Sequence, residues 1–87
     1  MPYKPITREA ALERLTSIVR EILDAPTLKL HDALQASEVE EWTSLNHIRI
    51  VSTAEDEFGV RFTAAEIEKL ATVGEFVDLV VRKASEG

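Results

Sequence analysis

Eighty-seven residues, 45% of them hydrophobic and 30% charged, are enough for one domain with one modest core, and too apolar for a disordered chain. The net charge of −6 disfavours a nucleic-acid partner, which needs a surplus of Lys and Arg, and favours partners with basic surfaces. The lack of cysteine excludes a disulfide framework, a Cys-ligated zinc and a thiol nucleophile, so any thioester chemistry must draw its sulfur from an added group.

Residues 1–6 read as a short Pro-punctuated tail with no apolar run, and no signal peptide is expected. No stretch approaches the roughly 20 apolar residues of a membrane span. The expectation is a cytoplasmic protein with no membrane insertion. From Thr7, a candidate N-cap, apolar residues recur at Leu12, Leu15, Ile18, Val19 and Ile22, the stripe of an amphipathic helix. Pro26 disfavours helical geometry at Ala25 and ends this helix near Asp24.

The segment 25–43 has no sustained period. A loop of that length is expected to be functional or to hold short structure, with Leu28, Leu30 and Leu34 fixing it to the core and a turn over 31–34. Glu38, Glu40 and Glu41 make its last part acidic.

A second helix is predicted over 44–58, with Ile48, Val51, Ala54 and Phe58 as its buried stripe and Gly59 as its C-cap. Thr63-Ala64-Ala65-Glu66 is a capping box that opens a short helix to about Leu70. Thr72-Val73-Gly74-Glu75 opens the last helix, in which Val73, Phe76, Val77 and Val80 share a face. The predicted fold class is all-α: a four-helix bundle of three longer helices and one short, with a long loop between helices 1 and 2. The single domain is expected over 7–84, between the tail 1–6 and a fraying end at 85–87.

The chemistry-bearing stretch is Trp42-Thr43-Ser44-Leu45, which puts a serine hydroxyl at the exposed start of the second helix. The first-turn N–H groups of a helix lack intrahelical partners and the dipole adds positive charge there, so an anion attached to Ser44 would be welcome.

Ser44-Leu45 opens a helix with the phase of Ile48, Val51, Ala54 and Phe58. That helix closes on Glu55-Asp56-Glu57-Phe58-Gly59 and is followed by a short helix and a final one. In this the chain resembles the acyl and peptidyl carrier proteins, or phosphopantetheine-binding domains, over roughly 12–81. The resemblance implies a discrete acyl-carrier-like bundle with no catalytic activity of its own. Ser44 would bear a 4′-phosphopantetheine arm taken from coenzyme A by a phosphopantetheinyl transferase. Fatty acyl, hydroxyacyl or aminoacyl groups would ride on its thiol as thioesters. Further implied partners are an acyl- or aminoacyl-loading ligase and an acceptor acyltransferase or synthase, met by a monomer.

Thr43 stands where the family usually has aspartate. Threonine can replace it as a cap at a cost of a few tenths of a kcal/mol, but it brings no negative charge to the transferase. The resemblance also implies a partner-docking face at Leu45, Arg49, Ser52 and Asp56, bordered by Glu55. Arg49 and Ser52 depart from the family's acidic, apolar-spotted surface, so partners of the fatty-acid-synthesis type are expected to bind poorly.

Other readings stand beside this one. Thr43 favours an unmodified interaction module that binds a basic partner through the second helix. Ser44 alone is equally an ordinary N-cap. A hydrolase using Ser44 and His47 lacks a Gly-x-Ser-x-Gly elbow and an orienting acid. His31 and Asp32 have no second ligand at a recognisable spacing, and the acidic run after Ala54 lacks the ligand pattern of a calcium loop, so no metal is expected. His47 is expected to be a surface or partner-facing residue, and Trp42 to be partly buried.

Overall fold

The computed structural model describes residues 6–86; the expected tail at 1–5 and the terminal Gly87 lie outside the described residues. The first helix, α1 (Arg8–Leu23), starts where the Thr7 hydroxyl accepts the Ala10 N–H, and stops where Asp24 turns left-handed (φ 54°) before Pro26. Its stripe is as expected, with Leu15, Ile18 and Val19 buried, and Ala11 and Leu23 join them. After the loop come α2 (Ser44–Phe58), α3 (Ala64–Glu68) and α4 (Val73–Glu86). α1 packs on both α2 and α4. The predicted all-α bundle of three longer helices and one short is what forms.

Both capping boxes close. Thr63 Oγ1 accepts the Glu66 N–H at 3.1 Å while Glu66 Oε1 accepts the Thr63 N–H at 2.8 Å. That Thr63 N–H bond, followed by Lys83 at 2.9 Å, holds the Glu66 carboxyl below its usual range. Thr72 and Glu75 make the same reciprocal pair, and Glu75 also accepts the Ala71 N–H. α3 ends at Glu68, two residues short of the expected Leu70, because Lys69 caps it through 3₁₀-type bonds. α4 continues through Ser85 to Glu86, where fraying was expected.

The long loop has more order than its sequence suggests. His31–Leu34 turns as expected, and a 3₁₀ turn at Ala36–Glu38 is closed by Glu38 Oε1, which accepts the Gln35 N–H at 2.8 Å. The loop is stitched to α4: the Val73 N–H donates to the Leu34 carbonyl and the Gly74 N–H to the Asp32 carbonyl. A Cβ on Gly74 would stand 3.0 Å from that Asp32 oxygen, so a larger residue would push the loop outward by a few tenths of an ångström. Arg8 ties the same corner together, donating to Asp32, Asp78 and the Gly74 carbonyl.

The core is sealed by Phe76, Leu15, Ile50, Val19, Val77 and Val80. One expectation fails here. Ile48 is 60% exposed, and Ile50 is fully buried in its place. The seam of α2 centres on Ala54 and Val51, with Phe58 behind them; Ile48 lies six residues from Ala54, which at roughly 100° per residue leaves the two about 120° apart around the axis.

Candidate functional site

The site is the corner where the loop becomes α2. Trp42 is buried, 8% exposed, more deeply than the expected partial burial. Its indole N–H donates to His47 Nδ1 at 3.1 Å. The chain then turns tightly, the Thr43 N–H donating to the Glu41 carbonyl at 2.9 Å. Asn46 closes the corner from the helix side, its Nδ2 donating to the same Glu41 carbonyl at 2.9 Å.

Thr43, not Ser44, is the N-cap. Its hydroxyl accepts the Asn46 N–H and its carbonyl accepts the His47 N–H. Ser44 is therefore the first helical residue, exposed, with a hydroxyl that is not spent on capping. This removes the reading of Ser44 as an ordinary N-cap. Among the described residues, the backbone N–H groups of Ser44 and Leu45 have no partner. The first turn of α2 holds no carboxylate, and its last turn, Glu55 to Phe58, holds no cation. The helix dipole is thus uncompensated at the serine end, and an anion linked to Ser44 would meet free N–H donors and partial positive charge.

His47 is not the surface residue expected from sequence. It is half-buried, its ring 6.3 Å from that of Trp42 and 6.5 Å from that of Phe76. An indole N–H only donates, so Nδ1 must be the unprotonated acceptor and the ring is held neutral. Burial pushes the imidazole below its ordinary value. Because the folded value lies below the unfolded one, the unfolded chain binds the extra proton first. The contribution of His47 is full above the unfolded value near 6.5 and is lost as pH falls through the folded value. Urea melts on the acid side are expected to show stability falling with pH in the parent and a weaker fall in His47→Gln.

The predicted docking residues line one side of α2. Leu45 is 66% exposed, Arg49, Ser52 and Asp56 are exposed, and Ile48 belongs with them. Leu45 and Ile48, three residues apart, form an apolar pair beside Ser44 that sequence reasoning missed by assigning Ile48 to the core. Among the described residues Arg49 has no ion-pair partner. Glu55 sits at the edge, half-buried, and its carboxylate accepts the Phe62 N–H at 2.9 Å, so it also fastens the loop after α2. Among the described residues no helix is long and apolar enough to cross a membrane, and no group of acidic, His or Cys side chains could hold a metal ion.

Comparison with known proteins converges on one family. Residues 13–80 match the family described as "Phosphopantetheine attachment site". An acyl carrier protein of Acidothermus cellulolyticus is 31% identical over 75 residues, which cover 86% of this chain and 89% of that protein. The solution structure of a holo acyl carrier protein from Geobacter metallireducens superposes with a TM-score of 0.82 at 30% identity, covering 87% of each chain. The fold, the serine at the start of its second helix and these matches together establish that the chain belongs to the acyl carrier family of phosphopantetheine-attachment domains.

Proposed function

We propose that Ser44 bears the 4′-phosphopantetheine arm and that α2 presents it to partner enzymes. One observation carries this: Ser44 is an exposed first-turn serine whose capping work is done by Thr43. The surroundings fit the group. The free N–H groups of Ser44 and Leu45 suit a phosphodiester, and no carboxylate of the first turn repels it. In loading, the Ser44 oxygen attacks the phosphorus of coenzyme A that carries pantetheine, a new P–O bond forms, the pyrophosphate P–O bond breaks to release 3′,5′-ADP, and the serine proton leaves to the transferase. When bound, the arm supplies the thiol that this cysteine-free chain lacks, and acyl groups ride on it as thioesters. The protein's own residues hold and present; they do no bond-making on the cargo.

The family works with enzymes such as transferases and synthases. The finer assignment is a phosphopantetheinyl transferase, an acyl- or aminoacyl-loading ligase and an acceptor acyltransferase or synthase. They dock on Leu45, Ile48, Arg49, Ser52 and Asp56, with Glu55 at the edge. The apolar pair beside Ser44 suits a small hydrophobic recess in a partner. Arg49 adds a cation, so enzymes whose docking patch is uniformly basic bind poorly. A cytoplasmic setting fits a chain of net charge −6.

Intact mass after incubation with coenzyme A and a broad-specificity transferase tests the proposal. The parent is expected to gain one phosphopantetheine and Ser44→Ala none. Thr43→Asp, which restores a carboxylate where the family has one, is expected to load faster. Equal loading of parent and Ser44→Ala would remove Ser44 from the role.

A further inference from the structure

We propose that His47 is a positioning residue for the attachment serine: by accepting the Trp42 indole N–H on Nδ1, it fixes the corner that presents Ser44. The inference rests on the reading that Ser44 bears the arm. Trp42 stands two residues before Ser44 and is the one large buried side chain of the segment that leads into it. Its indole N–H donates at 3.1 Å to His47 Nδ1 and to no other described residue. His47 also anchors the far side of the corner, since its backbone N–H donates to the Thr43 carbonyl at 2.8 Å. One residue therefore grips both sides of the peptide segment that carries the serine: Trp42 through its ring, Thr43 through its main chain. The ring is in turn backed by Phe76 of α4, a fully buried side chain that gives it a firm seat.

Protonation opens this grip. An imidazolium carries N–H on both nitrogens, so Nδ1 would face the indole N–H donor to donor. Burial favours the neutral ring that the contact requires. The charged residues along the elements packed on His47 are Glu40 and Glu41 in the loop, Arg49 on α2, and Glu75 and Asp78 on α4. All are exposed, the Glu75 carboxylate is on the Ala71 and Thr72 N–H groups, that of Asp78 is on Arg8, and none contributes to the shift.

The chain makes the test clean, because it has one tryptophan and two histidines, the second of which, His31, is exposed. In the parent, the indole N–H resonance and Trp42 fluorescence are followed with falling pH beside the ring signals of both histidines. His31→Gln serves as control. The indole signal is expected to move together with the His47 ring signals, and to do so equally in the control. Transferase loading is then compared at neutral pH among the parent, His47→Phe, which keeps a ring without an acceptor, and His47→Gln, which restores one. His47→Phe is expected to lose roughly tenfold in loading kcat/KM, less than the hundredfold a 1 Å misplacement can cost. His47→Gln should recover most of the loss, with helix content by circular dichroism equal in all three.

An indole signal that ignores the His47 titration overturns the proposal without any variant having to fold. Loading of His47→Phe at the parental rate overturns it as well. Failure of the parent itself to load would instead strike the attachment reading, and with it this inference, while the titration would still report the Trp42–His47 contact.

Discussion

Phe76→Ala is expected to lose about 3–5 kcal/mol of unfolding free energy, the usual cost of emptying a buried phenylalanine site. Phe76 is 2% exposed and is the largest fully sealed side chain of the core. Phe62 meets it edge-on with ring centroids 5.8 Å apart, and His47 rests against it from α2. The cavity would therefore open between Phe62 and His47. A domain has a total of about 5–15 kcal/mol to lose, so the variant should keep a much smaller margin and unfold at clearly lower urea. Urea titration followed by circular dichroism measures this. A loss under about 1.5 kcal/mol would mean that the core around Phe76 is looser than described.

The second large effect separates two isoleucines that sequence makes look alike. Ile50→Ala is expected to cost about 2–5 kcal/mol, because Ile50 is fully buried in the core. Ile48→Ala should stay within about 0.5 kcal/mol of the parent, as surface substitutions do. Function should invert the order. Ile48→Asp puts a carboxylate beside Leu45 and Ser44, and it is expected to weaken partner-enzyme turnover by about tenfold or more, the scale of an interface anchor worth about 1.4 kcal/mol. Ile50→Ala, at a temperature where it is folded, should load and unload near the parental rate. Chemical denaturation paired with steady-state loading kinetics gives both readouts. Strong destabilisation by Ile48→Ala would return that residue to the core and undo the docking face.

Where backbone rules dominate, the fold was legible. Thr7, Asp24 and Pro26 bracket α1, and Thr63–Glu66 and Thr72–Glu75 open α3 and α4 with the bonds their spacing implies. These signals are local, so the residues that make them also satisfy them. Ile48 went wrong because counting apolar letters leaves out His47. The imidazole reads as polar, yet it takes a core-facing position with Nδ1 accepting the Trp42 indole N–H, and with it counted the seam moves away from Ile48. The bonds that tie the loop to α4 were equally hidden. Leu34 and Asp32 offer main-chain carbonyls to the start of α4, and a carbonyl leaves no mark in sequence. Gly74, which carries no Cβ, lets Asp32 come close there.

The site shows the same division. Ser44 and Leu45 stood out because a serine–leucine pair at a helix start is a recognisable pattern. Sequence offered both Thr43 and Ser44 as caps; that Thr43 does the capping and leaves the serine hydroxyl spare is a matter of one residue in the helix boundary, finer than such patterns resolve.

The most direct test of the account is to locate the arm. Protein loaded by a transferase with coenzyme A is digested and the modified peptide fragmented in a mass spectrometer. One phosphopantetheine is expected, on the Ser44 oxygen, with Thr43 and Ser52 unmodified. An arm found on any other hydroxyl, or a parent chain that accepts none even as Thr43→Asp, would contradict it.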